Sequence, residues 1–403
     1  MERKLDDWID SYLEYTSNTE PSELYRRWVA ISTLAAALRR KVKVEWGLLT
    51  WYPNMYIVLV GPAAARKGTA MDPGLDLLRE TDIPLGSDSG SREALIEKMK
   101  LAIDIDSDNP NIIPVPHHSL TVYSKELTNF LGSGKLDYLQ MLADWFDCPK
   151  FWSYDVLSRG DRDLTNVWFN LLGATTPSLL RQNLPQETVG GGLASRMIFV
   201  YAADKEKDVS FPTVPTEFKK REKDLAHDLN IIKNERGTVL YSAEVMRWYD
   251  EWYKDTNANP PFPNHPYLLK YNERRARHLF SLAIVLAYSP KRGVYDKTLE
   301  KEIRALSVPI MERANKILLQ TEALMPNVFE GFGTSTMSSL INKVLVFIRQ
   351  SKETTKSELL KTFIWDLESI EQLDGIMNML SMMGQIKRLG IKANNDETYR
   401  YIS

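Results

Sequence analysis

The sequence has few of the residues on which several kinds of site depend. Its 403 residues include one cysteine, Cys148, and five histidines, so no intramolecular disulfide can form. No Cys/His cluster has the spacing of a zinc site. His117 and His118 are adjacent, which does not place two imidazoles on one helical face, and both are predicted to lie in a loop.

Neither a strong net charge nor a long hydrophobic run is present. Lys and Arg number 51 against 53 Asp and Glu, which excludes a globally basic nucleic-acid-binding protein but not a local basic patch. The longest apolar stretch, residues 29–38, is interrupted by Ser32 and Thr33 and is shorter than the ~20 residues of a bilayer span. The first residues lack the apolar segment of a signal peptide. We therefore expect a cytoplasmic protein without a membrane partner.

The composition itself is typical of a globular protein. Hydrophobic residues make up 43% and charged residues 26%, which excludes a disordered or collagen-like chain. Apolar runs at 56–60, 120–123, 167–175 and 197–201 are typical of buried strands. Segments with the periodicity of a helix lie between several of them. We therefore predict an α/β fold in which helices cover a mainly parallel sheet.

The patterns divide the chain into four regions. A helical N-terminal region is predicted for residues 1–45, the α/β core for 46–215 and a helical, lid-like domain for 216–330. In the last region, 336–403, three predicted helices precede two strands that flank a polar turn. This order is typical of a winged helix-turn-helix.

The sharpest motif is a candidate phosphate-binding loop. Residues 61–69 read GPAAARKGT and directly follow the first predicted core strand. In such a context, loop N–H groups and the helix N-terminus hold phosphates, a lysine reaches the β- and γ-phosphates, and a hydroxyl holds Mg²⁺. The usual pattern is G-x-x-x-x-G-K-[ST], but here Arg66 stands at the second glycine and Gly68 at the hydroxyl position. The alternative is an ordinary strand-to-helix turn with a chance lysine.

Candidate catalytic residues follow the later strands. Glu126 follows the second strand and is a candidate base for the attacking water, with Lys125 where a magnesium-binding aspartate is usual. Thr176 follows the third strand and is a candidate sensor of the γ-phosphate. Arg196, after a glycine-rich loop, is a candidate arginine finger for a neighbouring subunit's site. The alternatives are a solvated glutamate, a turn-forming threonine and a surface arginine in an ordinary ion pair.

Two segments carry candidate DNA contacts. Residues 151–157 and 164–169 flank a charged turn, which predicts a β-hairpin with Arg159 and Arg162 at its tip. Two aspartates in the same turn offset these charges, so an internally paired turn is the alternative. In the winged region, the last predicted helix has no Lys or Arg, and the candidates lie on the wing: Lys387, Arg388, Lys392 and Arg400. A winged helix that contacts protein rather than DNA is the alternative there.

Residues 52–62, 66–69, 171–177 and 191–200 resemble a family of P-loop ATPases from the replication modules of phages, plasmids and integrated elements. This family is related to replicative helicases of the AAA+ and RecA-like kind, and the segment around Arg196 is similar to the arginine-finger segment of MCM-like helicases. The resemblance extends loosely over residues 20–320. It implies a P-loop NTPase core, with the helical region 216–330 as a lid.

The resemblance also implies roles for individual residues. ATP would be bound by Gly61, Arg66, Lys67, Gly68 and Thr69. Thr69 would hold Mg²⁺, Glu126 would act as the base, Thr176 as the sensor and Arg196 as the finger. A lid arginine would come from Arg274, Arg275 or Arg277, with a solvated helix face as the alternative.

These expectations lead to three hypotheses about function. The first is an ATP-dependent DNA helicase or translocase that forms a ring, such as a hexamer, acts on single-stranded DNA and works with replication proteins. The second is an ATP-binding initiator, loader or adaptor with little or no hydrolysis, which the incomplete acidic pair at Lys125 and Glu126 favours. The third is a DNA-binding regulator with a vestigial loop.

Overall fold

The computed structural model describes most of the chain. The described residues are 2–106, 115–132, 136–154, 163–183, 192–211, 216–296, 300–330, 336–367, 369–391 and 396–402. They belong to two compact units, Met1–Glu330 and Gly331–Ser403. None of the described helices is long and apolar enough to cross a membrane.

Helices and short strands of the first unit surround one larger sheet. Its helices are α1 (Trp8–Tyr15), α2 (Glu23–Leu38), α3 (Lys67–Arg79), α4 (Arg92–Leu101), α5 (Leu127–Leu131), α6 (Leu136–Phe146), α7 (Pro177–Asn183), α8 (Thr216–Ile232), α9 (Ala243–Ala258), α10 (Leu269–Asn272), α11 (Arg275–Tyr288) and α12 (Val308–Glu322). Its strands are β1 (Val42–Trp46), β2 (Leu49–Trp51), β3 (Tyr56–Val60), β4 (Ile103–Asp106), β5 (Val115–Ser124), β6 (Phe151–Trp152), β7 (Leu164–Thr165), β8 (Val167–Thr175), β9 (Met197–Tyr201), β10 (Gly237–Thr238), β11 (Leu240–Tyr241), β12 (Val294–Asp296), β13 (Lys301–Ile303) and β14 (Ala305–Leu306).

The larger sheet has five strands in the order β4-β5-β8-β3-β9. All neighbouring pairs are parallel except β4 with β5. Tyr56 at the start of β3 lies opposite Leu171 and Met197, and Val60 at its end lies opposite Thr175 and Tyr201. The prediction of an α/β fold with a mainly parallel sheet is therefore confirmed.

Helices cover both faces of this sheet. On one face, the side-chain amide of Asn170 donates to the Ser32 hydroxyl of α2 at 3.2 Å. On the other face, the Tyr56 hydroxyl donates to the Leu142 carbonyl of α6 at 2.6 Å. Because neither face meets solvent, every residue of β3 and β8 is buried, which explains why both strands are largely apolar rather than alternating in pattern.

His117 and His118 lie in β5, so the prediction that they are loop residues is wrong. His118 lies opposite Val167 of β8 and His117 opposite Asp104 of β4. Burial lowers the pKa of His117 to about 4, so its imidazole is neutral at pH 7. Within the described ranges, no group of three or more His, Cys, Asp or Glu side chains is placed to hold a metal ion.

Short strands interrupt the region 216–330, where only helices were predicted. β10 pairs with β1, β11 pairs with β14, and β12 pairs with β13. Each of these strands has two or three residues, except β1 with five. Pairs this short depend on the partner that tertiary packing supplies, so the local sequence carries no period-2 signal for them.

The second unit consists of three helices and a small antiparallel sheet. Its elements are α13 (Thr336–Ser351), β15 (Glu353–Thr355), α14 (Lys356–Phe363), α15 (Ile370–Met382), β16 (Ile386–Ile391) and β17 (Glu397–Tyr401). The sheet order is β15-β17-β16, and side chains of all three helices form its core. The predicted C-terminal hairpin is therefore present as β16 and β17. The sequence does not predict the strand β15, because the pattern of residues 354–358 favours the start of a helix.

Candidate nucleotide-binding site

The ends of β3 and β8 define a crevice at the carboxyl edge of the larger sheet. Val60 and Thr175, the last residues of these adjacent strands, lie opposite each other. From β3 the chain crosses beyond β8 to β4 and then β5, whereas from β8 it crosses in the opposite direction, beyond β3, to β9. In open α/β sheets, ligands bind outside the carboxyl ends of strands whose connections diverge in this way. The candidate phosphate loop follows β3 directly and therefore lies in this crevice.

The loop begins at a glycine that its neighbours require. A Cβ atom at Gly61 would lie 2.4 Å from the Ala202 carbonyl oxygen and 2.5 Å from the Tyr25 hydroxyl. That hydroxyl donates to the Val60 carbonyl at 2.7 Å and accepts from the Ala202 N–H at 3.0 Å. Tyr25 thereby ties the end of β3 to the residue after β9. No local sequence pattern predicts this contact, because it joins residues far apart in the chain.

Lys67 is the first residue of α3, and its side chain folds back over the loop. The ammonium donates to the carbonyls of Gly61 at 2.8 Å and Pro62 at 2.7 Å, and the residue is 8% exposed. Burial lowers the pKa of this ammonium, and the nearby Glu126 carboxylate partly opposes the shift. A cation held by two carbonyls can exchange them for phosphate oxygens at small structural cost. The predicted loop lysine therefore lies over the loop, with its ammonium bonded to the loop's own carbonyls.

Arg66 adopts the left-handed conformation just before α3, with φ 58° and ψ 30°. Glycine is usual at this position because this conformation is strained for residues with a Cβ. The Arg66 guanidinium pairs with Glu20 at 2.6 Å, and Lys205 pairs with the same carboxylate at 3.0 Å. Glu20 thus links the region before α2, the loop and the segment after β9. No motif in the sequence pointed to Glu20.

We expect Arg66→Gly to leave the free energy of unfolding unchanged within about 1 kcal/mol, because relief of about 1–2 kcal/mol of backbone strain offsets the loss of a half-exposed ion pair. Arg66→Val loses the same ion pair but keeps a Cβ branch at positive φ, so we expect it to be less stable than Arg66→Gly by about 1–2 kcal/mol. Urea denaturation of both variants measures the difference. Equal stabilities would contradict the left-handed geometry of the loop.

Glu126 lies at the same edge of the sheet as Lys67. It is the exposed residue just before α5, and its carboxylate interacts electrostatically with the Lys67 ammonium. The two residues are therefore near enough for their charges to interact. Its neighbour Lys125 forms an ion pair with Asp72 of α3 and passes over Gly68, at which a Cβ atom would lie 3.7 Å from the lysine Cδ. A cation thus stands close to the start of α3, where the usual motif supplies a magnesium-binding acid.

Thr69 is an exposed residue in the first turn of α3. A hydroxyl there suits Mg²⁺ only if phosphate oxygens and waters supply the other ligands, which is how this ion is commonly held in nucleotide sites. Among the described carboxylates near the crevice, Asp72 is already paired with Lys125 and Glu20 with Arg66, whereas Glu126 is exposed. The residues present therefore fit a magnesium ion that comes with the nucleotide rather than one held by the protein alone.

Thr176 caps a helix. Its hydroxyl accepts from the Leu179 N–H at 3.2 Å and lies 2.9 Å from the Ser178 hydroxyl, so it satisfies the N-terminus of α7. Its neighbour Thr175 is buried at the end of β8. Thr176 thus lies at the carboxyl edge of the sheet, as expected. Its observed contacts are those of a turn-forming threonine, which was the alternative interpretation.

Arg196 lies at the opposite edge of the sheet from the loop. It directly precedes β9, whose first residue is level with the first residue of β3. A strand of five residues spans about 15 Å, so Arg196 does not reach the loop of its own chain. Its guanidinium pairs with Asp147 at 2.5 Å and donates to the Gly192 carbonyl at 2.7 Å. Arg196 therefore cannot act as an arginine finger at the loop of its own chain.

Of the three arginines in the 274–277 segment, Arg274 is partly exposed, whereas Arg275 and Arg277 are buried. Arg275 is buried and pairs with Glu322 at 2.7 Å, and its guanidinium lies 5.1 Å from the ring centroid of Trp252. Arg277 is buried and donates to the Tyr52 carbonyl at 2.7 Å. The solvated alternative is wrong for these two residues, whose contacts hold α11 in place.

The candidate DNA contacts are described only in part. Arg159, Arg162 and Lys392 lie outside the described residues. In the second unit, Arg388 forms an ion pair with Glu397, and Arg400 pairs with Glu353 at 3.0 Å. Lys387 is exposed on β16. Exposed ion pairs are weak, so the two arginines can exchange these carboxylates for phosphates.

No protein-family model matches the chain, and neither does any curated protein sequence. Its function must therefore be inferred from the site itself.

Proposed function

We propose that the chain is a P-loop ATPase that binds ATP at the loop 61–69 and hydrolyses it. The observation that carries the proposal is the Lys67 ammonium, held over the loop by the Gly61 and Pro62 carbonyls at the point where the strand connections diverge. Glu126 supports it, since its carboxylate interacts with this ammonium and can polarise a water. The loop's N–H groups and the start of α3 would hold the phosphates, and Mg²⁺ bound with the nucleotide would offset their charge.

We further propose that ATP hydrolysis drives a DNA helicase or translocase of a replication module, assembled as a ring. The position of Arg196 supports assembly, because an arginine at the far edge of the sheet can contribute to catalysis only beside a second subunit. The three helices and antiparallel hairpin of the second unit support DNA contact, since they follow the order of a winged helix. Because the chain is close to neutral, a few individual basic residues such as Lys387 would have to make the contacts with DNA.

A second candidate function is a nucleotide-dependent switch that binds ATP and scarcely hydrolyses it. The ion pair between Lys125 and Asp72 favours it, because a cation stands where hydrolytic P-loop sites usually place an acid. Such a protein would act as an initiator, loader or adaptor.

Single-turnover hydrolysis of ATP, measured with and without single-stranded DNA, separates the two functions. For the motor, we expect hydrolysis in the presence of Mg²⁺ and an increase of at least about tenfold in its rate when DNA is added. For the switch, we expect tight ATP binding and no turnover, either with or without DNA. Failure to bind ATP at all would overturn both proposals and favour a regulator with a vestigial loop.

A further inference from the structure

Two arginines at the amino edge of the larger sheet converge on one carboxylate. Asp147 Oδ2 accepts from Arg196 at 2.5 Å, and its Oδ1 accepts from Arg274 at 3.0 Å. Each oxygen thus takes one guanidinium, as two oxygens of a phosphoryl group would. Within the described ranges, no second carboxylate bonds to either arginine, and the Asp147 side chain is 44% exposed.

More arginine charges lie near Asp147 than its single negative charge can neutralise. Burial lowers the pKa of the Arg277 guanidinium, and the negative charge of Asp147 partly opposes this shift. Arg40 lies beside the same turn and donates to the Cys148 carbonyl at 2.9 Å. Arg196, Arg274, Arg277 and Arg40 therefore all lie near the turn after α6. Among the described residues, Asp147 is the carboxylate that interacts with the first three of them. Asp147 also directly follows α6, and a negative charge at a helix C-terminus is unfavourable without such cations.

We propose that Arg196 and Arg274 form a binding site for a phosphoryl group and that the Asp147 carboxylate occupies this site when no phosphoryl group is present. The proposal rests on the proposed function, in which the phosphoryl group belongs to the nucleotide of a second subunit. A phosphoryl group carries more charge than a carboxylate and bonds to two guanidiniums at once, so it displaces Asp147 when the second subunit docks. Asp147 is then a positioning residue, which keeps both guanidiniums side by side until assembly.

Binding of inorganic triphosphate to Lys67→Ala chains tests this site without interference from the loop. In that background we expect Asp147→Asn to tighten triphosphate binding at least about tenfold, because it frees two guanidiniums that the carboxylate had neutralised. Adding Arg274→Ala or Arg196→Ala should abolish the gain. Asp147→Ser removes the same charge and must give the same gain, so the failure of one variant to fold leaves the test intact.

The matched control is Asp144→Asn, which removes a negative charge one turn earlier on α6 from an exposed residue. We expect it to change triphosphate affinity less than twofold. An equal gain in Asp144→Asn and Asp147→Asn, or a gain that survives Arg274→Ala, would overturn the proposal. Because the assay uses neither ATP hydrolysis nor Lys67, a missing ATPase activity would count against the proposed function and leave the result at Asp147 interpretable.

Discussion

We expect Lys67→Ala to lower the affinity of the protein for ATP at least about 100-fold and to abolish measurable hydrolysis. Lys67 is 8% exposed and its ammonium already bonds to two loop carbonyls, so it can donate to phosphate oxygens without losing much further hydration. Hydrogen bonds to charged groups contribute about 1.5–3 kcal/mol each, and two such bonds account for a loss of this size. Isothermal titration with a nonhydrolysable ATP analogue measures it.

Lys125→Ala is the matched control, since Lys125 is a second lysine near the start of α3. Its ammonium is paired with Asp72 and its side chain is about half exposed. We expect ATP affinity to change no more than about threefold in this variant, because an exposed, paired charge contributes little. Similar losses in the two variants would show that ATP responds to the general charge of this edge and not to the loop lysine. Thermal unfolding of both variants checks that the fold is intact.

The parts of the fold that the sequence predicted are those with a strong local signal. Residues 56–60 form an uninterrupted apolar run and residues 167–175 a largely apolar one, and both are buried strands of the parallel sheet. The order β4-β5-β8-β3-β9 carries no such signal, because it depends on which strands pair across the fold. The same reason applies to β10, which is two residues long and pairs with a strand nearly 200 positions earlier.

The candidate site divides in the same way. Lys67 and Glu126 could be placed together from the sequence because each follows a parallel strand, and the carboxyl ends of parallel strands share one edge. Glu20 and Tyr25 could not, since they reach the loop from the helical N-terminal region through contacts that no motif encodes. The burial of Arg275 was also hidden, because a charged residue on a helix is usually exposed unless a distant partner such as Glu322 compensates it.

We expect Glu126→Gln to lower the rate of ATP hydrolysis by about 10²–10⁴-fold while ATP binding is retained. Glutamine keeps the size and polarity of the side chain but cannot accept a proton from the attacking water. It also removes the carboxylate that partly opposes the lowering of the Lys67 pKa by burial. The negative charge near the phosphates then falls, so ATP affinity should rise slightly. Single-turnover hydrolysis and ATP titration of the same variant separate the two effects.

Asp72→Asn gives the corresponding control, because it removes one negative charge at the same edge of the sheet from a carboxylate paired with Lys125. We expect its hydrolysis rate to stay within about threefold of the unsubstituted protein, since a half-exposed ion pair contributes little and Asp72 has no part in activating water. A fall as large as that of Glu126→Gln would indicate that Asp72 supplies the acid missing at Lys125. Normal hydrolysis in Glu126→Gln would instead place the base elsewhere and leave Glu126 as an electrostatic neighbour of Lys67.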